Sequence, residues 1–191
     1  MGDYCTLDEV KSELGIEEDG KDGMLASMIE QASAFIDVFC KREFSASTAT
    51  RYFDGARLLH ISDLLAVTTL KLDQDGDGVF EVTMATSDYI LYPLNDTPKT
   101  MIKISRNSSY GSFADGIEKG VQIAGSWGYA TTAPKPIRRA AIIQTCRWFK
   151  RKDSAFSDVV GSAETGEIIM YKGLDPDIKL LLEKYIKVVY A

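Results

Sequence analysis

The sequence predicts an α+β fold: a mainly helical body formed by N- and C-terminal helices, with an inserted antiparallel β lobe. Three observations carry this. Apolar residues recur at helical spacing near both ends of the chain. Between about Thr50 and Tyr129 the pattern changes to short alternating runs separated by Gly, Pro, Asn and Asp. A chain of 191 residues with 45% hydrophobic and 26% charged content is long and apolar enough for a core plus a second lobe. The expected segments are 1–49 for the N-terminal helices, 50–130 for the lobe and 131–191 for the C-terminal helices, with a flexible connector at 154–173.

Thr6-Leu7-Asp8-Glu9 is a capping box, so a short helix should run from Leu7 to Leu14 and stop at Gly15. After a polar link, Met24, Leu25, Met28, Ile29, Ala32, Phe35, Ile36 and Phe39 make one apolar face on a helix ending near Lys41-Arg42. Strand candidates are Thr50–Phe53, Leu58–Ile61, Val67–Leu72, Val79–Met84, Tyr89–Tyr92, Thr100–Ser105 and Val121–Gly125. Helix returns at Pro134-Lys135-Pro136, where proline suits a first turn, and continues to about Arg151. Ser154–Gly173 contains glycines and no clean period, which reads as the connector. Asp175-Pro176 caps a last helix striped by Ile178, Leu181, Leu182, Tyr185, Ile186 and Val189. The strands are bracketed by helices, so the simplest packing joins the two helical ends and projects the lobe.

Composition excludes several functions. The net charge is −6, whereas a protein that grips nucleic acid needs a basic footprint. No apolar run approaches the ~20 residues of a membrane span, and Asp3 with no apolar stretch after it does not read as a signal peptide. Cys5, Cys40 and Cys146 are odd in number and widely spaced, forming neither a disulfide framework nor a metal clip. Cys40 and Cys146 lie in helical stretches and read as small core residues, and reduced thiols suit a protein made in a cytoplasm. Phosphate-binding glycine loops are missing, and the lone His60 has no nucleophile or metal partner in a recognisable frame. Gly125-Ser126-Trp127-Gly128 ends a strand and leads to prolines, unlike a nucleophile elbow. The expectation is a non-enzyme without a cofactor.

Two features remain. Asp73, Asp75 and Asp77 alternate, with glycine in the sixth position of the run and Glu81 beyond, like the first half of a calcium loop. The twelfth position is Met84, and Asp-Gly pairs also make tight hairpin turns, so a plain turn and a cation site are both open. Arg138, Arg139, Arg147, Lys150, Arg151 and Lys152 cluster on one helix. The helix dipole alone accounts for cations in a last turn; a docking surface for an acidic partner is the other reading.

In order, YCTLDEVKSELGI, MIEQASAFIDVFCKREF, DQDGDGVFE, SDYILYP, VQIAGSWGYATTAPKPIRRA, RWFKRKDSAFSDVVGSAETGEI and LDPDIKLLLEKYI resemble the head–tail connector (adaptor or head-completion) proteins of tailed bacteriophages. The resemblance covers nearly the whole chain. Many members are smaller and nearly all helical, so the β lobe is an enlargement. It implies a structural subunit of a phage or prophage, located at the virion head–tail junction and in the host cytoplasm during assembly. Copies would form a homo-oligomeric ring below the portal protein, with a head-closure or tail-completion protein docking on it and no membrane involved. DNA would pass through the lumen without specific binding, which an acidic wall favours. A closed ring needs two different lateral surfaces on each copy. Candidate partner-binding residues are Arg147, Lys150, Arg151, Lys152 and Tyr171. The rival reading is a calcium- or saccharide-binding lobe using exposed aromatics such as Tyr89, Tyr92, Tyr110 and Trp127.

Overall fold

A computed structural model describes residues 2–153, 159–161, 168–170 and 174–187. The chain divides into two compact units: Met1–Arg42 with Ala133–Ala191, and Glu43–Thr132. The α+β class expected from the sequence is borne out.

The first unit is helical. Helix α1 (Leu7–Leu14) starts at the capping box: Thr6 Oγ1 accepts from Glu9 N–H at 3.3 Å, and Glu9 Oε2 accepts from Thr6 N–H at 2.9 Å. Gly15, at φ 67°, ends it. Helix α2 (Asp22–Cys40) buries Leu25, Ile29, Ala32, Ile36 and Cys40 and ends on Lys41 in the left-handed conformation. With the preceding turn it has the length and composition of a membrane span, a test that a helix packed in a protein core passes as well. Helix α3 (Lys135–Asp153) packs against α1 and α2, burying Ile137, Ala140, Ala141, Ile142, Cys146 and Phe149. Helix α4 (Pro176–Leu182) begins where Asp175 accepts from Asp177 N–H at 2.8 Å, and it packs on α3 through Ile178 and Leu182.

Two expectations for the C-terminal segment need correction. The last helix is shorter than its stripe predicted: a 3₁₀ turn (Glu183–Tyr185) replaces its continuation, and Ile186 is extended and exposed. Val189 lies outside the described residues. The connector is not structureless throughout, because β7 (Val159–Gly161) pairs antiparallel with β8 (Ile168–Met170). The rest of 154–173 lies outside the described residues.

The second unit is an antiparallel sheet. Its strands are β1 (Ser47–Phe53), β2 (Leu58–Leu72), β3 (Val82–Thr83), β4 (Tyr89–Tyr92), β5 (Lys99–Ile104) and β6 (Val121–Trp127). The order is β1-β6-β2-β5-β4, with β3 pairing the far end of β2. The predicted runs Leu58–Ile61 and Val67–Leu72 are one strand, which continues through Ser62 and Asp63. Register shifts between His60 and Leu64, and again between Leu64 and Thr69, let it serve β5 first and β6 afterwards. One sheet face, with Leu59, Ile61, Leu70, Leu72, Ile102, Val121, Ile123 and Trp127, forms the core together with Phe113 and Met84.

Candidate functional site

The acidic loop between β2 and β3 is held by its own backbone. Asp73 is 3% exposed, and its Oδ1 accepts from Gly76 N–H at 2.7 Å and Asp75 N–H at 3.3 Å. Its Oδ2 accepts from Gly78 N–H at 2.9 Å. Asp77 Oδ1 accepts from Val79 N–H at 2.7 Å, and Gly76 and Gly78 take φ of 82° and 87°. Burial pushes the Asp73 carboxyl upward, but the N–H donors of Gly76, Gly78 and Asp75 outweigh it and hold the group below its ordinary value. Carboxylate oxygens of Asp73, Asp75 and Glu81 lie within 4.8 Å of one another. Asp77 is not part of that group. Asp73 thus has its lone pairs aimed at loop amides, the geometry of a hairpin turn.

Two of the four aromatics in the rival ligand-platform reading are buried. Trp127 is fully buried; its Nε1–H donates to the Ala49 carbonyl at 2.9 Å, and the Arg51 guanidinium lies 4.7 Å from its ring centroid. Tyr89 is buried as well, and Tyr92 and Tyr110 are half-buried. His60 is exposed on β2, opposite Met101. Ser126 sits inside β6 between Thr48 and Ala66, without an elbow.

The basic helix α3 divides into two parts. Arg138 pairs with Glu9, and Arg139 makes a two-pronged contact with Glu13 at 2.8 and 3.0 Å, so both fasten α1 to α3. Arg147 pairs with Asp175, the cap of α4. Beyond Arg147, Lys150 and Lys152 are exposed and Arg151 is half-buried. Lys152 Nζ lies 2.9 Å from Met24 Sδ. Tyr171 lies outside the described residues.

These cations adjoin a groove that sequence reasoning missed. Met24, Ser27, Met28 and Gln31 of α2 and Trp148 and Arg151 of α3 line an open volume of about 510 Å³. Lys21, just before α2, sits 5.1 Å from the Phe149 ring centroid. In sequence, Met24 and Met28 count as core because they share the helical period with Leu25 and Ile29. An apolar arc that wide cannot all face one neighbour, so one flank is left outward. The three cysteines are buried; burial first, then nearby Glu9 and Asp3, pushes the Cys5 thiol up to about 12, and burial pushes Cys40 to about 11. Neither is poised as a nucleophile.

Residues 4–69 match the family model of the Phage gp6-like head-tail connector protein, in line with the resemblance carried by the order of the chain's segments. No curated protein matches. Three solved structures share the fold over nearly the full length. One is from the virion of a native gene transfer agent (GTA) particle, at TM-score 0.62 and 17% identity, covering 98% of this chain and 92% of that one. Another is from the neck of a native GTA particle computed with C12 symmetry, at 0.58 and 17%, covering 100% and 96%. The third is from the neck of an empty GTA particle computed with C6 symmetry, at 0.57 and 20%, covering 98% and 92%.

Proposed function

We propose that this protein is a structural connector subunit of a tailed phage or prophage, placed at the head–tail junction of the virion. It forms a homo-oligomeric ring below the portal protein, and a head-closure or tail-completion protein docks on the ring's far side. The observation that carries this reading is the head-tail connector match over residues 4–69. The shared fold of chains from GTA necks, inserted lobe included, supports it. Duplex DNA passes through the ring, and the net charge of −6 suits a wall that does not hold phosphates. The work of the protein is burial of surface between subunits.

Co-sedimentation with the portal protein encoded in the same genome, with the mass of the complex measured, tests the reading. Saturable binding of many copies per portal is expected. No association at low or physiological salt would refute it.

A further inference from the structure

The groove between α2 and α3 has features of a receptor, and the same chain carries a matching plug. Its floor is apolar, with Met24, Met28 and Trp148. Its rim is cationic: Arg151 lines it, Lys152 reaches across to Met24, and Lys21 lies one turn before Met24. The thioether that Lys152 contacts is a weak, neutral acceptor and does not offset the ammonium charge. On α4, Leu180 is 74% exposed, the second most exposed large apolar side chain among the described residues after Val38 at 76%. Asp177 and Glu183, three residues to either side of it, are exposed too. Residues at that spacing share a helix face, so the projecting leucine is bracketed by two carboxylates. Cations stand near the carboxylates too: exposed Lys179 lies four residues before Glu183, and Lys184 sits over the Tyr185 ring, 5.0 Å from its centroid.

Resting on the ring reading above, we infer that Leu180 of one copy docks in the α2–α3 groove of the next, with Asp177 and Glu183 meeting the rim of Lys21, Arg151 and Lys152. A second copy is the occupant because this chain supplies both halves, an apolar knob with acidic flanks and an apolar slot with a basic rim. Plug and slot are different surfaces, which makes the contact head-to-tail, the kind that closes rings. Apolar burial supplies the affinity, and the rim charges fix which face enters.

The test joins differently tagged subunits, one carrying Leu180→Cys and the other Ser27→Cys or Gln31→Cys, on the portal protein. A short bis-maleimide is then added, and the native cysteines are buried. Cross-linked pairs containing both tags are expected only in the mixture. Glu183→Lys and Lys152→Glu should each raise the concentration for half-maximal ring assembly about threefold, the effect of one rim pair, and the double variant should restore it. Full rings on the portal with no mixed-tag product at either position would overturn the plug and leave the connector reading standing. A cross-link from Leu180→Cys to the portal protein instead would also overturn it. No ring under any condition would overturn both.

Discussion

Replacing Trp127 with phenylalanine keeps an aromatic ring in the core of the sheet and removes the indole N–H. The structure separates the costs. The hydrogen bond to the Ala49 carbonyl at 2.9 Å is worth about 1 kcal/mol net, and more if that carbonyl is left unsatisfied. The smaller ring leaves a gap in a fully buried site, for about 1–2 kcal/mol. The Arg51 guanidinium, 4.7 Å from the centroid, loses about 0.5 kcal/mol on a less electron-rich face. The total is about 3 kcal/mol, a large share of the stability of a single domain. Equilibrium urea unfolding followed by far-UV circular dichroism measures it. The remaining tryptophan, Trp148, reports the helical unit by fluorescence in the same titration, so a loss confined to the sheet is distinguishable. A loss below about 1 kcal/mol would refute the placement of this side chain as a core anchor.

Other outcomes are expected as follows. A Cβ on Gly125 would stand 2.4 Å from the Ala66 carbonyl oxygen of the neighbouring strand, so Gly125→Ala should cost about 1–3 kcal/mol in the same assay. Removing the helix cap with Thr6→Ala should cost about 1 kcal/mol. Arg138 first, then the Thr6 N–H, hold the Glu9 carboxyl below its ordinary value of 4.5. A depressed folded value means that its contribution is complete above that ordinary value and fades as pH falls through the folded one. Melting temperature against pH should therefore drop less steeply below pH 4.5 in Glu9→Gln than in the parent, and equal slopes would contradict the pairing. Asp73→Ala should lower the melting temperature because three loop N–H groups lose their acceptor, and millimolar calcium should not restore it. A thiol reagent at pH 8 should leave Cys5 and Cys40 unlabelled until the protein is denatured.

Local chemistry was legible in the sequence wherever one residue type does one job. Thr6 and Glu9, Gly15, and Asp175 with Pro176 each announced a helix end, and each sits where that chemistry requires. Legibility failed where the outcome depended on a neighbouring strand. The expected strands stop at Ile61 and resume at Val67, yet register shifts carry β2 through the gap, and the Asp63 carbonyl accepts from Gly128 N–H at 2.9 Å. The rival reading counts Trp127 among exposed aromatics. Alternation from Val121 through Ile123 and Gly125 puts it on the buried face, so the period along β6 held the answer. The family connection was carried by segment order. The groove was not legible, because an outward methionine and a core methionine look alike until the helix has a neighbour. The basic cluster of α3 was visible, but not its division: Arg138, Arg139 and Arg147 hold other helices, and Lys150 and Lys152 remain on the surface.

The helical unit is made from two stretches of chain that the 90-residue Glu43–Thr132 unit interrupts. Were that stretch an open coil, bringing its ends together would cost about 4 kcal/mol in lost chain entropy, from the logarithm of its length. The sheet removes this cost in advance. Ser47 pairs with Trp127, and Tyr129 N–H donates to the Glu43 carbonyl at 2.8 Å, so the stretch leaves beside where it entered. Once the sheet has formed, α2 and α3 are tethered by a clasp of a few residues and meet as though nearly consecutive. The lobe thus makes the helical unit a short-range folding problem, and damage to its β1–β6 pairing should slow the assembly of the helices of the other unit.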